Sequence, residues 1–268
     1  MERAVADAEA IEVVDVSALE SGPGPARDAM DRALGQAAAR LGFLVISGAP
    51  VAAVTDPADL QRLLAIFDLP EAEKRRLMNA KHAPGNSNRY RGFFVAERPG
   101  ETRRREGFDH GADAAPPAQA DAAVAFFSEP SVWPDEALLP GWRTAALGRH
   151  AAMERLGRGL MAALGRHLGI GGDYFEPFFG APLQGPSTSR FLFAPGLPED
   201  GGGQADPASL ATVAGKPRRI GTRAHRDSGV LTLLWQPGGL QAQAADGSWL
   251  DAPAVPRGLN VNFGDTLR

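Results

Sequence analysis

Near Ser187 the sequence changes its hydrophobic period, and that change limits the architecture more than any other feature of the chain. Upstream, apolar residues recur at helical spacing. Met30, Ala33, Leu34, Ala37, Ala38 and Leu41 do so between Pro25 and Leu41, and Gly42 closes the segment. After Pro140, the residues Trp142, Ala146, Met153, Leu156, Leu160, Leu164 and Leu168 mark one face of a long second helix, which Gly169 and Gly171-Gly172 end. Downstream, short apolar runs bounded by Gly and Pro take over: Phe191-Leu192-Phe193, Val230 to Trp235, Leu240 to Gln243 and Asn260 to Phe263. Helices first and short strands after predict an α+β chain, with helices on one side of an antiparallel sandwich or barrel.

The remaining signals are local. Ile11 to Val16 reads as a first strand and Phe43 to Ile46 as a buried one. Asp56-Pro57 is a helix start, with Asp as cap and Pro at the first position, and turns Leu60, Leu63, Leu64 and Phe67 inward. Pro70 to Leu77 starts another helix with its acids first and bases last, as the helix dipole favours. Lys81 to Asp121 reads as loops and short strands. Gly201-Gly202-Gly203 through Lys216-Pro217 reads as a mobile polar loop, either a lid or an ordinary insertion. There is no internal repeat.

Composition removes several classes. The chain has no cysteine, which excludes disulfides, thiolate metal sites, iron–sulfur clusters and cysteine nucleophiles. A net charge of −4 gives no reason to expect a nucleic-acid partner or an anionic membrane. No apolar run approaches the roughly twenty residues that span a bilayer, and the acidic N-terminus lacks the apolar core of a signal peptide. A cytoplasmic location is the default expectation; the oligomeric state is left open.

The chemistry concentrates at His225-Arg226-Asp227-Ser228-Gly229, read as the start of the strand through Leu234. Residues i and i+2 of a strand share a face, so His225 and Asp227 would project together if Arg226 points away. One imidazole and one carboxylate are two-thirds of a facial Fe(II) site. Alone, the tripeptide is more readily a chance pairing at a surface strand end. Of the other histidines, His82 and His110 fall in the loop-rich segment. His150 and His167 fall on the long helix, where an exposed or capping role is expected. Arg103-Arg104-Arg105 reads as a solvated charge run.

The neighbouring phrases give the tripeptide a context. Leu231-Thr232-Leu233-Leu234, Gly238-Gly239-Leu240-Gln241, Gly247-Ser248-Trp249-Leu250 with Pro253 and Pro256, and Asn260-Val261-Asn262-Phe263-Gly264-Asp265 follow it in order. Together with His225-Arg226-Asp227 they resemble the core of the isopenicillin N synthase-like family of Fe(II)/2-oxoglutarate dioxygenases. Upstream, Ile11 to Ser17, Gly42-Phe43 to Gly48, Phe67-Asp68-Leu69-Pro70 with Glu73-Lys74, Tyr90-Arg91-Gly92-Phe93 and Glu106-Gly107-Phe108-Asp109 have counterparts in the same order.

The resemblance implies a double-stranded β-helix (jelly-roll) core with a helical N-terminal domain. It assigns residues 1–130 to an N-terminal mixed α/β region, 131–185 to a long core-packing helical region, and 186–268 to the oxygenase core. It implies Fe(II) held by His225 and Asp227, with 2-oxoglutarate and O2 converted to succinate and CO2 as the substrate is oxidised. Retention of Asp227 favours hydroxylation, desaturation or cyclisation over halogenation. Arg190 is implied as an anion partner for the cosubstrate, with a surface rung of an edge strand as the alternative. Arg89, Tyr90, Phe191 and Phe193 are candidates for the substrate entrance; for Arg89 and Tyr90 the alternative is a solvated basic loop.

Two departures accompany the resemblance. The family's distal His and its Arg-x-Ser cosubstrate motif have no counterpart before Arg268, so the C-terminal strands are expected in a continuation of the chain rather than lost in a natural pseudoenzyme. In Ser189 to Pro195, the polar pair that often precedes the proline is Phe193-Ala194. The alternatives to a 2-oxoglutarate oxygenase are a non-catalytic jelly-roll binding protein and an iron oxidase that does not use 2-oxoglutarate.

Overall fold

A computed structural model describes residues 10–49, 57–96, 105–114, 121–193, 210–213, 216–219, 224–236 and 238–267. The elements begin with β1 (Val13–Asp15), α1 (Pro25–Leu41), β2 (Phe43–Ser47), α2 (Pro57–Leu64), α3 (Glu71–Leu77), β3 (Gly92–Ala96), β4 (Arg105–His110) and α4 (Ala122–Phe127). Then come α5 (Trp142–His167), α6 (Glu176–Phe179), β5 (Ser189–Phe193), β6 (Leu210–Val213), β7 (Lys216–Arg219), β8 (Leu231–Leu234), β9 (Gln241–Gln243), β10 (Trp249–Asp251) and β11 (Leu259–Phe263). The chain divides into two compact units, Met1–Thr55 with Leu156–Tyr174 and Gln204–Arg268, and Asp56–Arg155 with Phe175–Gly203.

The first unit is organised by a four-stranded sheet in the order β1-β2-β11-β8. Only β1–β2 is parallel; β11 runs antiparallel to both of its neighbours. Between β1 and β2, α1 starts with Pro25 and ends at Gly42, whose φ of 69° places it in the left-handed region and lets its N–H bond the Ala38 carbonyl. Met30, Leu34 and Ala37 form its buried face. Arg166 of α5 grips the buried Asp31 through two bonds of 2.6 and 2.8 Å. Phe263 and Val261 of β11 pair with Leu231 and Leu233 of β8, and the two leucines lie beside Gly157 of α5. That leaves Thr232, Asn260 and Asn262 on the opposite face of the ladder.

The second unit carries the antiparallel sheet β3-β4-β5. In register, Phe93, Phe108 and Phe191 cross it as one row. They pack with Leu63, Ile66, Phe67, Leu77 and Trp142 into a single buried cluster. The Trp142 indole donates to the Leu63 carbonyl at 2.9 Å, so its one polar atom is satisfied in the core. Lys74 is buried against Glu106 at 2.8 Å with its ammonium over the Phe93 ring.

Most local expectations agree with the elements, α1 to the residue. Several do not. His110 ends β4, one of the short strands read within Lys81 to Asp121, but its complete burial is unexpected. His150 is neither exposed nor capping. It continues the Trp142–Ala146 stripe at helical spacing and is buried. Leu168 lies past the end of α5 and is exposed. The loop read across Gly201 to Lys216 contains β6 and the start of β7, which pair as a hairpin with Pro217 on a strand of a two-stranded sheet. β10, which pairs with β9, has too little apolar periodicity to read alone. The Asp56 cap, Arg103-Arg104, Ala194 and residues 201–209 lie outside the described residues.

Candidate metal centre

His225 to Asp227 form no ladder; they are irregular backbone leading into β8, which begins at Leu231. This corrects the expectation of a strand at the tripeptide. The pairing is cut short because the segment bonds the end of β11 instead. Asp265 N–H donates to the Asp227 carbonyl at 2.9 Å, and Gly264 N–H to the Val230 carbonyl at 3.1 Å. The Thr266 hydroxyl donates to the Ser228 carbonyl at 2.8 Å. A Cβ on Gly264 would lie 2.1 Å from the Gly229 carbonyl oxygen, so only glycine permits this approach.

Despite the irregular backbone, the two side chains converge. His225 Nε2 lies 3.3 Å from Asp227 Oδ1, while the Arg226 guanidinium is 4.0 Å from Asp265. The other oxygen, Oδ2, accepts from Thr232 Oγ1 at 2.6 Å and from Asn262 Nδ2 at 2.8 Å. Burial pushes the Asp227 carboxyl up, but these two bonds and the neighbouring imidazole outweigh it and hold the group below its ordinary value. It is therefore an anion at neutral pH. Adjacent positions on an octahedral ion with bonds of about 2.1 Å lie about 3 Å apart, so the pair fits two neighbouring ligands of a divalent first-row metal. Among the described residues no third His, Asp or Glu joins them. Thr232 and Asn262 were within the quoted phrases but not among the expected site residues; their signal is a polar residue at inward positions of otherwise apolar strands.

The other candidates lie in the second unit. Arg190 Nε and Nη2 make parallel bonds of 2.7 Å to the two oxygens of Asp109, and its guanidinium lies 5.1 Å from the Phe94 ring centre. Asp109 is buried while the Arg190 side chain is 49% exposed. Burial raises the Asp109 carboxyl against the pull of Arg190 and Arg91. Phe191 is buried, its ring stacked on His110 and edge-on to Trp142. Phe193 stacks on Phe67 and is 43% exposed. The backbone N–H groups of Arg89, Tyr90 and Arg91 all donate to the Glu129 carboxylate, at 2.9, 2.6 and 2.6 Å. Tyr90 packs between Phe126 and Phe127, and Arg89 lies over Phe126. Arg91 is fully buried, donating to the carbonyls of Phe127, Ala112 and Ser187 and to the Ser131 hydroxyl.

Known proteins resemble this chain along most of its length. Residues 11–136 match the family described as non-haem dioxygenase in morphine synthesis N-terminal, and residues 204–268 match the 2OG-Fe(II) oxygenase superfamily. A 2-oxoglutarate-Fe(II) type oxidoreductase of Aspergillus fumigatus is 28% identical over 236 residues, covering 84% of this chain and 63% of the relative. Gibberellin 20 oxidase 1 of Oryza sativa subsp. japonica is 29% identical over 265 residues, covering 96% and 64%. The chain thus spans a little under two-thirds of the length of these two relatives. A crystal structure of a 2OG-Fe(II) oxygenase family protein from Caulobacter crescentus superposes with a TM-score of 0.73 at 25% identity, over 97% of this chain and 76% of that one. The chain belongs to the isopenicillin N synthase-like family of 2OG-Fe(II) oxygenases. The fold is α+β with the family's double-stranded β-helix core, and the family uses Fe(II), 2-oxoglutarate and O2. Among the described residues, no helix is long and apolar enough to cross a membrane.

Proposed function

We propose that this protein is an Fe(II)- and 2-oxoglutarate-dependent oxygenase that oxidises a small molecule by hydroxylation, desaturation or cyclisation, releasing succinate and CO2. The observation that carries this reading is the convergence of His225 Nε2 and Asp227 Oδ1 at 3.3 Å, within a chain of this family. His225 and Asp227 would hold the iron, which supplies the activation of O2 when bound. Asp227 contributes a fixed negative charge, and His225 a neutral nitrogen donor. Arg190 is the proposed anion partner of the cosubstrate, its planar fork already oriented by Asp109. Arg89, Tyr90 and Phe193 are the proposed lining of the substrate entrance; Phe191, buried against His110 and Trp142, supports that strand from the core. The name of the rice relative, a gibberellin oxidase, supports a small organic substrate.

The test is succinate formation from 2-oxoglutarate, followed with and without Fe(II) and O2. Iron-dependent succinate release that Asp227→Ala abolishes is the expected result. Succinate release that survives Asp227→Ala overturns the assignment of the ligands. Oxygen uptake without 2-oxoglutarate consumption replaces the cosubstrate reading with that of an iron oxidase.

A further inference from the structure

We propose that Thr232 and Asn262 are positioning residues for the metal, occupying Oδ2 of Asp227 so that Oδ1 is the carboxylate's single ligand atom. The proposal rests on the reading of His225 and Asp227 as iron ligands, and it adds how one of them is aimed.

Thr232 and Asn262 are direct cross-strand partners in the β8–β11 ladder. Their side chains therefore rise side by side from one face. Both point at the same atom, at 2.6 and 2.8 Å, and both bonds end on a charged acceptor, which roughly doubles their strength over neutral ones. A carboxylate oxygen offers about two lone-pair sites. Both sites on Oδ2 are thus taken, while Oδ1 faces the imidazole of His225. Chelation of a metal by both oxygens would require breaking one of these bonds.

The backbone supports the same geometry. The Asp227 carbonyl is held by Asp265, Ser228 by Thr266 and Val230 by Gly264, so the segment is fastened to the end of β11 at three points. The strand that supplies Asn262 also fixes the loop that supplies Asp227. A carboxylate limited to one oxygen takes one coordination position and leaves the others for cosubstrate and O2, as an iron oxygenase site requires.

The experiment measures Mn(II) binding to the 268-residue chain by calorimetry, for wild type, Thr232→Val, Thr232→Ser, Asn262→Leu, Asp227→Ala and His225→Ala. Thr232→Val and Asn262→Leu are each expected to weaken binding by about tenfold, within the range found when an outer partner of a ligand is lost. Thr232→Ser restores the hydroxyl and wild-type affinity. In an Asp227→Ala background neither substitution has a further effect, which a general loss of fold would not reproduce. Wild-type affinity in both clamp variants, with loss in Asp227→Ala, overturns the clamp and leaves the iron reading standing. Unchanged affinity in Asp227→Ala and His225→Ala overturns the iron reading, and the clamp with it. A metal-free readout guards against misfolding of Asn262→Leu: Asp227→Ala should move the Asn262 side-chain amide resonances in an 1H–15N spectrum. Resonances that stay in place overturn the clamp.

Discussion

His110 should make the second unit acid-sensitive. Its ring is enclosed by Phe108, Trp133, Trp142, His150 and Phe191, and its Nδ1–H donates to the Gly111 carbonyl, which fixes the neutral tautomer. Burial, opposed by the Gly111 bond and reinforced by His150 and nearby arginines, pushes the imidazole from 6.5 down to about 3. In the unfolded chain it titrates near 6.5, so between these values the unfolded state binds a proton that the native state refuses. Stability from this residue is complete above about pH 6.5 and falls as the pH drops towards 3. At pH 5 about thirty of every thirty-one unfolded imidazoles are protonated, which corresponds to a loss of about 2 kcal/mol relative to neutral pH. His110→Phe keeps an aromatic ring in the cluster and removes the titration. It also leaves the Gly111 carbonyl without its donor, a cost of about 1 kcal/mol that does not depend on pH. Urea unfolding followed by tryptophan fluorescence, at pH 7 and pH 5, gives the comparison. The difference in stability between wild type and His110→Phe should shift by about 2 kcal/mol in favour of the variant on acidification. A difference that is the same at both pH values refutes the assignment of a buried neutral imidazole.

Other outcomes test separate parts of the structure. Arg190→Met strands the buried Asp109 carboxylate and should destabilise by about 3 kcal/mol at pH 7. Because burial holds Asp109 above its ordinary value, that penalty is present above the folded pKa and shrinks as falling pH protonates the group, the opposite sign to His110. Gly157→Ala should stabilise by about 0.5–1 kcal/mol, because its Cβ would meet Leu231 and Leu233 at an ordinary 3.6 and 3.8 Å and helix propensity improves. Gly165→Ala, in the same helix, should destabilise, because its Cβ would lie 2.3 Å from the Gly171 carbonyl oxygen. Thermal unfolding of the pair checks both signs. Gly264→Ala should cost about 1–3 kcal/mol by forcing β11 away from residues 227–229, and should lower Mn(II) affinity as well.

What could be read from the sequence was what the chain specifies locally. Pro25 and Gly42 bracket α1 because one presets helical φ and the other accepts the left-handed turn. Phe43 to Ile46 is apolar on both faces because β2 lies between β1 and β11. The burial of His110 and His150 was not legible in this way. It depends on β4 pairing with β5, where Asp109 meets Arg190 across 81 residues, and on Ser189 meeting His150 across 39. Neither polarity nor spacing announces a pairing of that separation. The hairpin of β6 and β7 was hidden by its surroundings, a run of Gly, Ala and polar residues that reads as loop throughout.

The metal centre lies between these cases. The His225–Asp227 spacing could be read directly, although the reason that pairs the two side chains is not strand alternation, since the residues form no ladder. Alternation acts one step away, in β8 and β11. On one face of that ladder Leu231, Leu233, Val261 and Phe263 are apolar, and the two leucines lie against α5. On the other, Thr232 and Asn262 address Asp227. A slip of β11 by one residue against β8 exchanges the faces of β11. It would set Val261 against the carboxylate and turn Asn262 towards α5, costing core burial and the aim of the ligand together. The hydrophobic face that stabilises the first unit is therefore also what fixes the orientation of Asp227. A lengthened β10–β11 connection should be tolerated while that face keeps its register, because the ladder rather than the loop sets the position of Asn262.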